Sequence, residues 1–394
     1  MKRRKTFAVL VSLLLVVALF GTVLTGCSSK TANNNGGSAQ KTESKPILIG
    51  GVAPVTGPAA TYGKSTKQGY EMALEEWNAK GGVLGRKVKL VFEDDKADPT
   101  EAANAFSKLI NDNHVVAIVG SVTSSCSLAG APIAQRAGVP MITPTSTNPK
   151  VTQVGDYIFR ACFIDPFQGT VAAKFVFNNL KARKAGVIYD IGQDYNTGLA
   201  EFFKKEFESL GGKIVAYEGY PDGTTDFNTQ LTKIIDAKPD VIYSPNYYND
   251  DGLIAKQART LGFTGPIVGG DGWDSPDLFK IGGDAVNNCY FTNHFSKDSK
   301  DPKVQAFVKK YTEKYGEAPD ALAALGYDAM NIMLTAIQNA GSTDGAKIKD
   351  ALKNIDYQGV TGHIKFDKDR NPVKSAVIIK IENGKQTYVT TINP

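Results

Sequence analysis

Four short segments concentrate the side chains that could bind or react, and each directly follows a β-branched run. SVTSSCS (121 to 127) follows VVAIVG, TSTNP (145 to 149) follows VPMITP, IGQDYNTG (191 to 198) follows KAGVIYD, and DGWDSPD (271 to 277) follows PIVGG. Hydroxyls ahead of a helix are first of all N-caps. One cap needs one hydroxyl, whereas the first loop carries Ser121, Thr123, Ser124, Ser125 and Ser127. Such hydroxyls, added to the free N–H groups of a helix start, also suit a carboxylate or another anion. Asp271 has the opposite preference and could hold a cation, or cap a turn. Tyr62, Tyr195, Tyr247 and Trp273 could wall a cleft and attract an ammonium through their ring faces. Each of them taken singly also reads as packing.

The segment GPAATYGKST (57 to 66) looks like a phosphate loop but fails on spacing. A P-loop has four residues between its first Gly and its Gly-Lys pair; Gly57 and Gly63 have five between them. Pro58 also removes an N–H that a phosphate cradle would use. The strand-to-helix turn can still present N–H groups to an anion other than phosphate. Catalysis lacks its parts. The histidines are His114, His294 and His363, and no G-x-S-x-G elbow is present; surface or structural roles are expected for His114, which precedes a strand, and His363, which sits in a late β segment. Histidines and cysteines are scattered without metal-ligand spacing. DKDRNP (367 to 372) imitates the start of a calcium loop but places Pro372 where Gly is needed and Ile378 where Glu is needed. No cofactor is expected.

The elements that would carry these loops alternate in type. Strand-like runs are ILIGGVA, KVKLVFED, VVAIVG, VPMITP, KAGVIYD, KIVAYEG, DVIYSP and PIVGGD; helix-like runs such as TEAANAFSKLINDN, LAEFFKKEFESLG and DGLIAKQARTLG lie between them. This alternation predicts βαβ units and parallel sheets. The strands fall into two sets broken near ACFIDPFQG (161 to 169). After Phe291 the chain reads as mostly helical, and it ends on the strand-like HIKFD and SAVIIKIENGKQTYVTTI. Helices left over after two α/β sets predict a return to the first lobe, and several crossings make a hinge with a cleft. Ligands of open parallel sheets sit beyond the carboxyl ends of strands, where the four polar segments lie.

The N-terminus reads as an export signal: Lys2, Arg3, Arg4 and Lys5, an apolar stretch, then Leu24-Thr25-Gly26-Cys27. The ending resembles a bacterial lipobox, which makes Cys27 the expected lipidation site; an uncleaved membrane anchor is the other reading, and both place the rest outside the cytoplasm. Residues 28 to 45 hold no apolar side chain larger than Ala and read as a tether. The formal charge of +5 comes from 45 basic and 40 acidic residues; removing the four N-terminal cations leaves 41 against 40. Nucleic acid and acidic membrane surfaces call for a larger basic excess. Beyond Cys27, the thiols Cys126, Cys162 and Cys289 allow at most one bridge.

GPAATYG, NAKGGVLGRKVKLVFEDDKADP, MITPTSTNP, QDYNTGLA and IAKQARTLGF occur in this order, and the chain resembles the leucine/isoleucine/valine-binding protein family from Ile47 almost to its end. The resemblance implies an α/β, two-lobed type I periplasmic binding protein of the Venus-flytrap kind. Each lobe would be a mainly parallel sheet flanked by helices, with three crossovers at the hinge. The expected organisation is 1–26 signal peptide, 27–45 tether, 46–165 with 294–360 as lobe 1, and 166–293 with 361–394 as lobe 2. It implies carboxylate-binding hydroxyls at Ser124 and Thr147 with the Thr145 backbone beside them, an ammonium-binding acid at Asp271, and aromatic contacts from Tyr62, Tyr195 and Tyr247. The best-known members have Glu in place of Asp271 and an aromatic near Leu322; Trp273 is the expected substitute for that ring. The implied function is capture of an amino acid, branched-chain or otherwise apolar, and its delivery to an ABC permease. The protein would be an extracytoplasmic monomer anchored to the membrane through Cys27, with no enzymatic activity. A receptor or sensor of amides or other small solutes on the same fold is the alternative, because fold does not fix function.

Overall fold

The computed structural model describes residues 45–394; the expected signal peptide, Cys27 and nearly all of the expected tether lie outside them. Five strands form the first sheet: β1 (Ile47–Ala53), β2 (Val88–Asp94), β3 (Ala117–Val119), β4 (Met141–Thr143) and β5 (Ile158–Arg160). Their order is β2-β1-β3-β4-β5 and every pairing is parallel. β3, β4 and β5 are buried at every residue, as strands covered on both faces should be.

The second sheet contains β6 (Lys184–Asp190), β7 (Lys213–Tyr220), β8 (Val241–Tyr243), β9 (Ile267–Gly269) and β10 (Cys289–Asn293). β11 (Asp356–Gly359) and β12 (Gly362–Lys365) form a separate hairpin, and β13 (Ala376–Glu382) and β14 (Lys385–Ile392) complete the second sheet. Its order is β14-β13-β10-β9-β8-β6-β7; the two terminal strands pair antiparallel and the rest parallel. The eight strand-like runs of the sequence correspond to β1–β4 and β6–β9. β5 and β10 are additions, because a three-residue IFR and the YFTN run carry too short a pattern to register.

The chain crosses between the sheets three times. After β5 it enters the Asp165–Lys174 helix, which packs on the Asp194–Ser209 helix of the second sheet. After β10 it returns, and the Pro302–Tyr315 and Ala321–Ala340 helices pack around the Ala60–Ala79 helix. Met330, Ile332, Met333 and Ile337 join the core under the first sheet, as does Ile364 of β12. The third crossing leads from β12 to β13. Among the described residues, the apolar clusters draw on positions from Ile47 to Ile392.

Helix ends follow local chemistry. Asp98 accepts from the Thr100 and Glu101 amides ahead of Pro99 at the first helical position. Asp320 caps the Ala321–Ala340 helix by accepting from the Ala323 amide. The Ala60–Ala79 and Ala321–Ala340 helices approach through glycines: a β-carbon on Gly69 would stand 2.3 Å from the Ala323 carbonyl oxygen, and one on Gly326 would stand 2.6 Å from that of Thr66. Among the described residues, no helix is long and apolar enough to cross a membrane. Cys126, Cys162 and Cys289 are buried free thiols.

Candidate functional site

The turn GPAATYG is shaped by backbone contact. Gly57 has a φ of 82°, and a β-carbon on Gly63 would sit 1.8 Å from the Pro54 carbonyl oxygen. This close seat fixes the first turn of the Ala60–Ala79 helix and aims Tyr62 across to the second lobe, where its hydroxyl donates to the Gly272 carbonyl.

The hydroxyl loops divide into structural and free groups. Ser121 donates to Asp95, Ser127 pairs with Ser146 at 2.7 Å, and Thr145 donates to the Val122 carbonyl at 2.7 Å. Ser125 bonds Asp194 of the second lobe. Thr123 occupies the N-cap position of the Ser124–Ala137 helix without making a side-chain cap, and its hydroxyl has no partner. Ser124 accepts the Asn148 amide at 3.3 Å. The first-turn N–H groups of this helix lack intrahelical acceptors, and Thr123 and Ser124 line the cleft described next. The companion loop, TSTNP, is clamped by buried Arg160, which donates to the carbonyls of Ser146 and Asn148 at 2.5 and 2.8 Å and to Asn371 at 2.6 Å. A fully buried guanidinium is costly unless its donors are used, and this one holds both the loop and the third crossing.

Opposite these donors stands Asp271, the first residue after the β9–Gly270 turn. Its Oδ1 accepts the Tyr195 hydroxyl at 2.9 Å and its Oδ2 lies 2.9 Å from His294 Nε2. The Tyr195 and Tyr247 rings stack with centroids 5.2 Å apart, and Tyr62 meets Tyr247 edge-on at 5.7 Å. Together Tyr62, Ser124, Thr145, Tyr195, Tyr247 and Asp271 border one cleft of about 320 Å³, mouth included. Val122, Thr123, Gly272 and Leu322 complete the wall. A larger open groove of about 1180 Å³ lies against the crossings near Lys300 and Lys374, but the convergent groups face the smaller cleft.

Two residues singled out in the sequence lie elsewhere. Thr147 is fully buried behind the wall, its hydroxyl unpartnered and facing the Asp165 carboxyl. Trp273 is also fully buried; its Nε1 donates to the Ser244 carbonyl at 3.0 Å, and its indole fills the space where Gly269 lacks a side chain. Leu322 lines the cleft in its stead. Neither His294 nor Asp165 is marked as a site residue by its sequence context. Position was the available signal: His294 directly follows β10, a strand that went unrecognised.

Electrostatics separate the carboxyls. Burial pushes Asp165 up to about 8, so it stays protonated at neutral pH, with a further push from Asp271. Burial also raises the Tyr62, Tyr195 and Tyr247 hydroxyls well above their ordinary range and keeps them neutral donors. Among the described residues, no group of three His, Cys, Asp or Glu side chains is placed to hold a metal ion.

Comparison with known proteins fits this geometry. A family model described as periplasmic binding protein matches residues 46–386. The Leu/Ile/Val-binding protein BraC3 of Rhizobium johnstonii is 36% identical over 330 residues, covering 81% of this chain and 89% of its own. The crystal structure of a leucine-binding protein LivK from Thermotoga maritima superposes with a TM-score of 0.85 at 43% identity, covering 88% of this chain and 99% of that one. The branched-chain amino acid transporter substrate-binding protein LivJ from Streptococcus pneumoniae, solved in complex with isoleucine, gives 0.84 at 36% identity and covers 89% and 100%. With two mostly parallel sheets, three crossings and a cleft at the strand ends, the chain belongs to the leucine/isoleucine/valine-binding branch of the periplasmic binding proteins, the substrate-binding proteins of ABC importers.

Proposed function

We propose that this protein captures a free amino acid with an apolar side chain, of the branched-chain class, between its lobes and presents it to an ABC permease. One observation carries the reading: the unpartnered hydroxyl and free amides at the start of the Ser124–Ala137 helix face Asp271 across a small aromatic-walled cleft. An anion acceptor and a cation acceptor at the two ends of so small a space match a zwitterion. The ligand's carboxylate sits on the helix start with Ser124 and the Thr145 segment. Its ammonium goes to Asp271, with the faces of Tyr195 and Tyr247 adding attraction. Leu322 and Val122 leave the side-chain end apolar. The isoleucine held by the LivJ relative supports the same ligand class.

Binding works through closure. The lobes turn about the three crossings, and ligand shifts the open–closed equilibrium only as far as it prefers the closed state. The permease reads the closed form. Lipidation of Cys27 after signal removal tethers the monomeric protein to the outer face of the membrane, with the following residues as the leash.

Calorimetric titration of Ser28–Pro394, stripped of carried-over ligand by unfolding and refolding, tests the reading against amino acids, small amides and organic acids. Tight binding of one amino-acid group, lost when its amine or carboxylate is blocked, is the expected result. Binding confined to amides, or to acids without an amine, would take the ammonium role from Asp271 and make the protein a receptor for another solute.

A further inference from the structure

His294 is the first residue after β10, where the chain leaves the second sheet for its second crossing. Its side chain is 1% exposed. The ring stacks on Phe163 of the first crossing, centroids 3.6 Å apart and planes at 27°. Nε2 lies 2.9 Å from Asp271 Oδ2, while Nδ1 is buried without a partner. A carboxylate oxygen accepts, so Nε2 carries the hydrogen and Nδ1 is the bare nitrogen. Adding a second proton would create a buried charged N–H at Nδ1, where no acceptor is in reach. With Tyr195 on Oδ1, both carboxylate oxygens are held from behind, and the arm of Asp271 is fixed.

We infer that His294 is the positioning residue for the amino acid's ammonium group: as a neutral donor it orients the Asp271 carboxylate, and its own protonation competes with the ligand for that carboxylate. This rests on the amino-acid reading of the cleft. The charged groups facing the imidazole are Asp271, Asp274 and, from the third crossing, Lys374. Burial is the largest influence and lowers its affinity for a proton below the ordinary range; Asp271 and Asp274 oppose that, and Lys374 adds to it. Above its pKa the imidazole is neutral and Asp271 keeps a full charge for the ligand. Below it, an imidazolium neutralises Asp271, so ligand affinity falls as pH falls. Because Phe163 and His294 belong to different crossings, the stack also ties the site to the hinge.

The test titrates leucine into Ser28–Pro394 between pH 7 and pH 5, where the ligand's ammonium remains charged. Wild-type affinity is expected to fall by up to about tenfold per pH unit below the imidazole pKa, the limit for one linked proton. His294→Gln retains an N–H at the reach of Nε2 but cannot titrate. It is expected to bind within about threefold of wild type at pH 7, since its charge-assisted hydrogen bond to Asp271 is kept, and to lose the pH dependence. A wild-type affinity flat across this range, or a His294→Gln variant with the wild-type slope, overturns the competition. A second readout needs no ligand: nitrogen-15 spectra of the free protein should show His294 as the Nε2–H tautomer, with a pKa lowered further by Asp271→Asn. The opposite tautomer, or a titration indifferent to Asp271→Asn, overturns the positioning role. If wild type binds no amino acid at any pH, the functional reading fails, and the spectra still decide the pairing.

Discussion

The Tyr62 hydroxyl donates to the Gly272 carbonyl, joining the first turn of a first-lobe helix to the loop after β9 in the second lobe. It is one of several bonds across the cleft: Thr61 meets Ser275 at 2.9 Å, Tyr248 donates to the Pro58 carbonyl at 2.9 Å, and Asn148 donates to the Asp194 carbonyl at 2.7 Å. These contacts join the lobes across the cleft, so the structure is the closed form. They set how much closure costs.

Tyr62→Phe keeps the ring's edge contact with Tyr247 and removes the bond to Gly272, along with the acceptor of the Tyr248 amide at 3.4 Å. A hydrogen bond of this kind contributes about 0.5–1.5 kcal/mol, so affinity should fall by roughly 2- to 10-fold. Small-angle scattering of the ligand-free variant should show a more open average. Unchanged affinity with an unchanged scattering profile would mean that this bond does not bias closure.

Asp271→Ala leaves the ligand's ammonium, the Tyr195 hydroxyl and His294 without their common partner. Truncating one member of a buried charge pair costs about 2–5 kcal/mol, and amino-acid binding measured by calorimetry should weaken accordingly. Wild-type affinity in this variant would remove Asp271 from the site.

Gly69→Ala tests the seam between the Ala60–Ala79 and Ala321–Ala340 helices. The added carbon meets backbone atoms 2.3 Å and 2.7 Å away, which cannot swing aside as a side-chain tip could. Overpacking of this kind costs about 1–3 kcal/mol. A lower urea midpoint is expected. Full retention of the midpoint would show that the helices can separate freely.

Stability should decline as pH rises through the neutral range. Burial, aided by Asp190 and Asp222, pushes Asp250 up to about 7, although Tyr220 donates to it at 2.9 Å; Asp95 is pushed up to about 6. In the unfolded chain both titrate near 4. Between those limits the folded state holds protons that the unfolded state lacks, so this contribution is complete in acid and lost as pH rises through the folded pKa values. Urea unfolding at pH 5 and pH 8 should show it, and Asp250→Asn should make the slope shallower. An identical slope in that variant would assign the dependence to other groups.

The buried thiols should resist modification. Burial pushes Cys162 and Cys289 up to about 12, and Cys126 higher still. Reactivity requires an accessible thiolate, so a thiol reagent should label the folded protein slowly and all three sites quickly in denaturant. Rapid labelling without denaturant would show that the lobes open far enough to expose a core cysteine.

The sequence by itself determined the two α/β sets, their parallel strands and the strand-end loops where a ligand would sit. Those features are local: β-branched runs such as KAGVIYD and the 3.6-residue period of DGLIAKQARTLG are written in consecutive residues. It also placed a hydroxyl cluster at Ser124 and an acid at Asp271. Partnerships across the chain were settled only by tertiary structure. Tyr62 reaches Gly272 across 210 positions, and Arg160 reaches Asn371 across 211. Trp273 reads as a cleft wall beside Asp271, but the bare α-carbon of Gly269 makes room for its indole in the core. Nothing in the sequence marks His294, and folding sets its Nε2 against Asp271. A pattern of residue types reports which face of an element is apolar; which polar groups meet depends on how whole lobes pack, and no local period encodes that.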